Sequence, residues 1–247
     1  MPKRPITLRL GKKLRPIVNA IVTRGSLVGN GPVHDPADFP WVHLLRSEWR
    51  NIAHEATIVC AHREAVPPLN AISPDHARIA ADGLWRSFFL VGYGQSIEEN
   101  RRRCPATSRL IGAVPGLNSA FFSILAPGAH IPRHKGVTKG LLTCHIGLAV
   151  PGRQDGCRML VASETLHWAD GQALVFDDTY PHEIWNDTDE VRIVLLLQFR
   201  RPMARVAGWI ADLFLSLIRR SAFVRDARRD LARWQELFRA AEDNNAC

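Results

Sequence analysis

His182 and Arg192 stand ten residues apart in the run FDDTYPHEIWNDTDEVRIVLLLQF (Phe176–Phe199), and His134 lies upstream in AHIPRHKG (Ala129–Gly136). A neutral imidazole offers one nitrogen lone pair, which suits iron, zinc, copper or nickel. A guanidinium offers a planar fork of donors that matches a carboxylate. Two histidines and an arginine therefore suit an iron site shared with a small carboxylate-bearing co-substrate. Each residue has a plainer reading as well. A histidine that opens a strand is commonly a core residue bonded to backbone. In RIVLLLQF, Arg192, Val194, Leu196 and Gln198 share one face and Ile193, Leu195, Leu197 and Phe199 the other. Both faces are mostly apolar, so the strand is buried and its guanidinium needs an anion. That anion is either an internal acid, Asp177 or Asp178, or the carboxylate of a ligand.

Three further sites bear on the same chemistry. His130 precedes His134 by four residues, the spacing of a helical zinc pair. Pro132 and the preceding Pro127-Gly128 argue against a helix there. His145, in CHIGLAV, shares a face with Gly147 and Ala149, whose small side chains leave room for a ligand. The alternative is a buried histidine bonded to backbone. Trp168, Tyr180 and Trp185 line a substrate pocket or fill the aromatic core.

The elements that must position these side chains follow from periodicity. AFFSIL, CHIGLAV, RMLVAS, ETLHW, ALVFDD, HEIWN and RIVLLLQF read as short strands separated by the turns PGAHIP, PGRQDG and ADGQ. Closely spaced strands with no long helices between them predict an antiparallel jelly roll. LWRSFFLVGYG (Leu84–Gly94) reads as a further strand. From Asp38, Leu44, Leu45, Trp49, Ile52 and Ala56 form one helical stripe, which PPLNAISPDH (Pro67–His76) ends. Residues 97–111 read as a helix interrupted by Pro105. Met203–Arg220 reads as a helix apolar on most sides, with an Arg-rich amphipathic segment after it. The expected fold is mainly β with helical flanks around a cupin-like, double-stranded β-helix core.

The 247 residues are 46% hydrophobic and carry a formal net charge of +8, enough for one sizeable core with appended arms. The charge sits at the ends. Residues 1–33 hold seven Lys/Arg and no acid, and residues 200–247 hold ten Arg against six acids. Apolar residues interleave with both, which favours an anionic membrane surface over nucleic acid. Cys60, Cys104, Cys144, Cys157 and Cys247 form no CxxC and no even framework. They read as reduced thiols in a cytoplasmic protein. There is no 18-residue apolar stretch and no secretory signal.

SILAPGAHIPRHKG, CHIGLAVPG, WADGQALVFDDTYPHEIWN and RIVLL together resemble the aspartyl/asparaginyl beta-hydroxylase family of iron and 2-oxoglutarate dioxygenases. The resemblance runs over roughly residues 38–203 and is strongest over 121–202. It implies Fe(II) held by His134 and His182, with Arg192 clamping the far carboxylate of 2-oxoglutarate. It also implies that Ser123 and His145 contact that co-substrate, and that molecular oxygen is the oxidant. Non-haem iron oxygenases commonly add a carboxylate two residues after the first histidine, and that position here is Gly136. Animal members likewise carry glycine there. The position is then open to water or a halide. Animal members carry an arginine where this chain has Thr143; Lys135 and Lys139 either supply the second charge contact in its place or, the plainer reading, are solvated.

FPWVHLLRSEWRNIAHEA, WRSFFL, RRCPATSRLI and RRPM are similar to the bacterial lipid A and ornithine-lipid 2-hydroxylases. The resulting division is a basic leader (1–33), a jelly-roll dioxygenase domain with N-terminal helices (34–202) and a C-terminal amphipathic helical segment (203–247). The substrate expected is an acyl lipid hydroxylated at the cytosolic membrane face. A peptide or small-metabolite Asp/Asn substrate and a non-catalytic metal-binding jelly roll are the alternatives.

Overall fold

In chain order the elements are α1 (Ile6–Gly25), β1 (Val33–His34), α2 (Pro40–Ser47), α3 (Trp49–Ala61), α4 (Leu69–Ile72), β2 (Trp85–Gly92), β3 (Gln95–Ser96), α5 (Glu98–Arg103), α6 (Pro105–Ile111), β4 (Leu117–Leu125), β5 (His130–His134), β6 (Leu141–Ala149), β7 (Cys157–Val161), β8 (Glu164–His167), β9 (Ala173–Phe176), β10 (His182–Asn186), β11 (Arg192–Arg200), α7 (Arg205–Arg219) and α8 (Ala222–Asn245). The computed structural model describes residues 6–72, 79–80, 82–152 and 155–245. Expectations touching residues 1–5, 73–76, 153–154 and Cys247 lie outside them.

The strands form a seven-stranded sheet, β1-β9-β6-β11-β4-β2-β3, facing a four-stranded sheet, β5-β10-β7-β8. Neighbouring strands pair antiparallel. This is the jelly roll with helical flanks that the alternating runs predict. β11 lies at the centre of the large sheet and separates two cores. Its Ile193, Leu195 and Leu197 point outward with Phe88, Phe122, Cys144 and Ile146, under Leu45, Ile52 and Ala56 of α2 and α3. Val194 points inward with Trp85, Phe121 and Phe176, against Ile131, Met159 and Ile184 of the small sheet. Arg192 is on the inward face, between the sheets.

Two elements differ from expectation. The helix predicted from Asp38 is two helices meeting at Glu48, with the Ser47 hydroxyl bonded back to the Leu44 carbonyl. Such a side-chain bond competes with the helical ladder. Leu44, predicted in the buried stripe, is exposed. The segment around His130 and Pro132, read as a turn, is strand β5. Pro132 has no N–H to donate, which an edge strand tolerates, and β5 is the edge of the small sheet.

The terminal helices dock. Val18 and Val22 of α1 pack on Met203, Ala207, Ala211 and Phe214. α8 inserts Phe238 into the outer core, and Arg103 and Glu242 pair beside it. No described helix is long and apolar enough to cross a membrane.

A buried ion cluster knots the end of β9 to the end of β11. Asp177 accepts from Arg201, from Lys139 at 2.8 Å and from Thr179, while Arg201 also donates to the carbonyls of Lys139 and Gly29. Arg201 and Asp177 are both fully buried. Asp177→Ala strands this cation, and the expected loss is about 3–5 kcal/mol of unfolding free energy, read by urea titration.

Candidate functional site

Strand register brings the two histidines together. His182 and His134 are direct cross-strand partners in β10 and β5, so their side chains share a face, and their ring centroids are 4.0 Å apart. Each ring is fixed in the same way. His134 Nδ1 lies 2.8 Å from the Pro132 carbonyl, and His182 Nδ1 lies 3.0 Å from the Tyr180 carbonyl. A carbonyl only accepts, so both Nδ1 atoms carry the proton and both Nε2 atoms keep the lone pair. Burial, then the neighbouring His182, pushes the His134 pKa down to about 4. Burial lowers His182 too. Both rings are neutral at pH 7, the state a metal ligand requires.

Across the gap, the inward face of the large sheet presents donors. Arg192 is fully buried, donates from Nη2 to Ser123 Oγ at 3.3 Å and lies over the Trp168 ring at 4.7 Å. Its Nε and Nη1 have no hydrogen-bond partner. The internal ion pair with Asp177 or Asp178 does not form. Asp177 serves Arg201 and Lys139, and Asp178 accepts from Thr143 and Gln198. Burial, unrelieved by a carboxylate, brings the Arg192 pKa down to about 10.

Ser123 accepts from Arg192 and also from Trp85 Nε1 at 2.9 Å, so its own O–H is left to donate. Trp168 Nε1 donates to His145 Nδ1 at 3.2 Å. His145, neutral because of its burial, therefore carries its proton on Nε2, which has no partner. Arg192, Ser123 and His145 thus offer only donors to the same space. One ring separates this cluster from the histidine pair: the Phe176 centroid is 5.1 Å from His145 and 5.7 Å from His182.

Gly136 has its own neighbour. A Cβ there would overlap the Asp178 carboxylate, and Gly136 N–H donates to the Asp178 carbonyl at 2.6 Å. Asp178 is half-buried, and desolvation followed by the nearby Asp177 raises its pKa to about 7. Among the described residues no group of three or more His, Cys, Asp or Glu side chains is gathered for a metal.

A family model described as aspartyl/asparaginyl beta-hydroxylase matches residues 46–202. The chain belongs to this family. It is 36% identical over 213 residues to an ornithine lipid ester-linked acyl 2-hydroxylase of Rhizobium tropici, covering 86% of this chain and 76% of that protein. It is 27% identical over 179 residues to the human aspartyl/asparaginyl beta-hydroxylase, covering 69% of this chain and 23% of that protein. Among solved structures it is similar to a cupin 2 conserved barrel domain protein from Salinispora arenicola, at 14% identity and a TM-score of 0.32, covering 53% of this chain and 83% of that one.

Several residues of this hydroxylase-family chain fall elsewhere than expected. Trp185 lies on the opposite face of β10 from His182, stacked on His130 at 5.5 Å with Arg158 over its other side at 4.9 Å. Strand alternation turns it away from the site. The room expected beside His145 at Gly147 is filled by the Ala169 carbonyl, whose loop carries Trp168 inward. Lys139 is engaged by Asp177 and the Tyr180 ring, so it does not replace the arginine missing at Thr143; Lys135 is exposed. Trp85 is a support that sequence reasoning did not assign, and Trp168, read there as a pocket or core residue, is a second: both indoles lie beside the donor cluster and orient it.

Two outcomes follow. Arg192→Met removes a buried cation that lacks an acid, so the ligand-free protein gains about 1–4 kcal/mol in chemical denaturation. Gly136→Asp collides with Asp178 and destabilises, and adding Asp178→Gly restores at least about 1 kcal/mol, read as a coupling energy in a double-mutant cycle.

Proposed function

We propose that the chain is an Fe(II)- and 2-oxoglutarate-dependent hydroxylase that adds a hydroxyl to carbon 2 of an ester-linked acyl chain of a polar lipid at a membrane surface. One observation carries the cofactor reading: a sealed guanidinium whose Nε and Nη1 face no acid, beside the unpartnered Nε2–H of His145. Such a group needs an anion from outside the chain. The acyl-lipid reading is supported by the Rhizobium tropici relative, which aligns over 86% of the chain.

The donor set fits the metal. His134 and His182 present two neutral imidazole nitrogens, a ligand type that suits Fe(II), and would hold it. Held there, Fe(II) with 2-oxoglutarate would supply the oxidising chemistry for turning C–H into C–OH, with dioxygen as oxidant and succinate and carbon dioxide as by-products. The chain positions the reactants. Carbonyls of Pro132 and Tyr180 hold the two ligand rings in one tautomer. Arg192, Ser123 and His145 bind the distal carboxylate, Arg192 by charge and the others by directed protons. Trp168 fixes the His145 tautomer and, with Trp85, excludes water from the ion pair, which strengthens it.

The test is turnover by full-length protein with Fe(II), 2-oxoglutarate and either an acyl-lipid extract or an Asp/Asn-containing peptide library. The expected result is succinate release that requires Fe(II) and a lipid product carrying one added oxygen. Arg192→Met raises KM for 2-oxoglutarate by roughly thirtyfold or more, corresponding to about 2 kcal/mol. An oxidised peptide with unchanged lipid would overturn the substrate, and metal-independent turnover would overturn the cofactors.

A further inference from the structure

α7 is apolar on two opposite sides, and only one is covered. Ala207, Ala211 and Phe214 pack on α1. Val206, Trp209, Leu213 and Leu217 are 66%, 68%, 65% and 53% exposed. Their spacing places all four on a single stripe, turned away from the packed side. Leu27, 70% exposed, extends this surface at the foot of the helix, where its N–H donates to the Pro202 carbonyl.

The charges around the stripe are of one sign. Arg205 and Arg220 bracket it and Arg24 ends the adjoining α1, all exposed. The acid within α7, Asp212, is held by Arg200 at 2.8 Å and 2.9 Å. A tryptophan–aliphatic stripe rimmed by arginines matches a helix lying in the headgroup layer, with indole at the interface and guanidinium on lipid phosphate. A second copy of this chain is a poorer match. Two-fold pairing of the stripes in antiparallel register would oppose Arg205 and Arg220 with no free acid across from them.

The face is joined to the candidate site. Gly140 lies against Ala211, so close that an added Cβ would press on its methyl group, and Lys139 N–H donates to Asn19 of α1 at 3.0 Å. The loop between β5 and β6 therefore rests on the α1–α7 pair and leads directly back to His134. Exposed Arg133, Lys135 and Val137 continue the basic and apolar pattern around that histidine.

We infer that the outer stripe of α7 is a monotopic docking surface for an anionic lipid bilayer, which holds the His134 edge of the jelly roll toward the lipid. The inference takes its partner from the acyl-lipid reading, but the stripe and its charges can be tested separately from catalysis. Full-length protein is sedimented with phosphatidylglycerol–phosphatidylcholine vesicles and with phosphatidylcholine vesicles alone. Wild type binds the anionic vesicles, and the double variant Trp209→Ala/Leu213→Ala binds roughly tenfold or more weakly with unchanged circular dichroism and Tm. Arg205→Glu/Arg220→Glu removes the preference for anionic lipid. In activity, the apolar variant keeps turnover on detergent-dispersed lipid and loses it on vesicles. Equal vesicle binding by wild type and the apolar variant overturns the proposal. So does a wild-type dimer that this variant makes monomeric, because the stripe is then covered by a second copy. If wild type docks and the variant does not, yet no lipid in any form is hydroxylated, docking stands and the substrate reading fails. If lipid is hydroxylated equally in vesicles by both proteins, docking fails and the substrate reading stands.

Discussion

A positive charge sealed between two sheets without an internal counter-ion governs this molecule. The contrast with Arg201 makes the point. Both guanidinia are essentially inaccessible to solvent, but Arg201 reaches Asp177 and two backbone carbonyls. Arg192 reaches one hydroxyl and the face of one indole. Neither contact neutralises it, and its pKa falls while the carboxylates nearby are committed elsewhere. A fold can carry such a group only if the packing around it is strong. Here β11 is buried on both sides and paired along its length with β4 and β6. The strand that endures the charge is thus the best-supported strand in the sheet.

The histidine pair follows a different logic. Each ring turns its Nδ1 proton back to the carbonyl two residues earlier, in Pro132-Arg133-His134 and in Tyr180-Pro181-His182. A proline lies within each of these tripeptides and restricts the backbone there. Rotamer and tautomer are therefore set by contacts two residues away in the chain. The β5–β10 register then brings the two rings to 4.0 Å between centroids. Held in this way, the two rings would need little reorganisation to bind an ion, in keeping with the proposed iron site.

How much of this the chain discloses depends on the range of the interaction. Alternation over three to nine residues is local, so most strands and the two-sided burial of β11 were legible. The buried arginine was legible for the same reason, but its partner was not. Asp177 and Asp178 are adjacent and equally plausible on paper, and only the tertiary fold shows that one faces Arg201 while the other lies over Gly136. β5 was hidden because proline and glycine signal a turn unless the strand is known to be an edge. Trp185 has the composition of a pocket residue, yet its parity along β10 sends it outward. Trp85 and Trp168 act through single hydrogen bonds to residues 38 and 23 positions away, and spacing along the chain carries no mark of such contacts. In α7 the apolar content was plain, whereas which side is covered depends on where α1 docks.

Gly136 and Asp178 are best understood as one choice. A side chain at 136 and the Asp178 carboxylate compete for the same volume, and backbone hydrogen bonding between the two residues holds them in place. The turn after β9 therefore carries a carboxylate into the space beside Gly136, but among the described residues it is not gathered with the two histidines into a metal-binding group. Its hydrogen-bond donors, Thr143 and Gln198, are neutral. Neutral donors stabilise an anion less than a cation does, and desolvation then keeps the Asp178 pKa near 7. Burial thus perturbs two groups around the candidate site in opposite senses, lowering the pKa of Arg192 and raising that of Asp178.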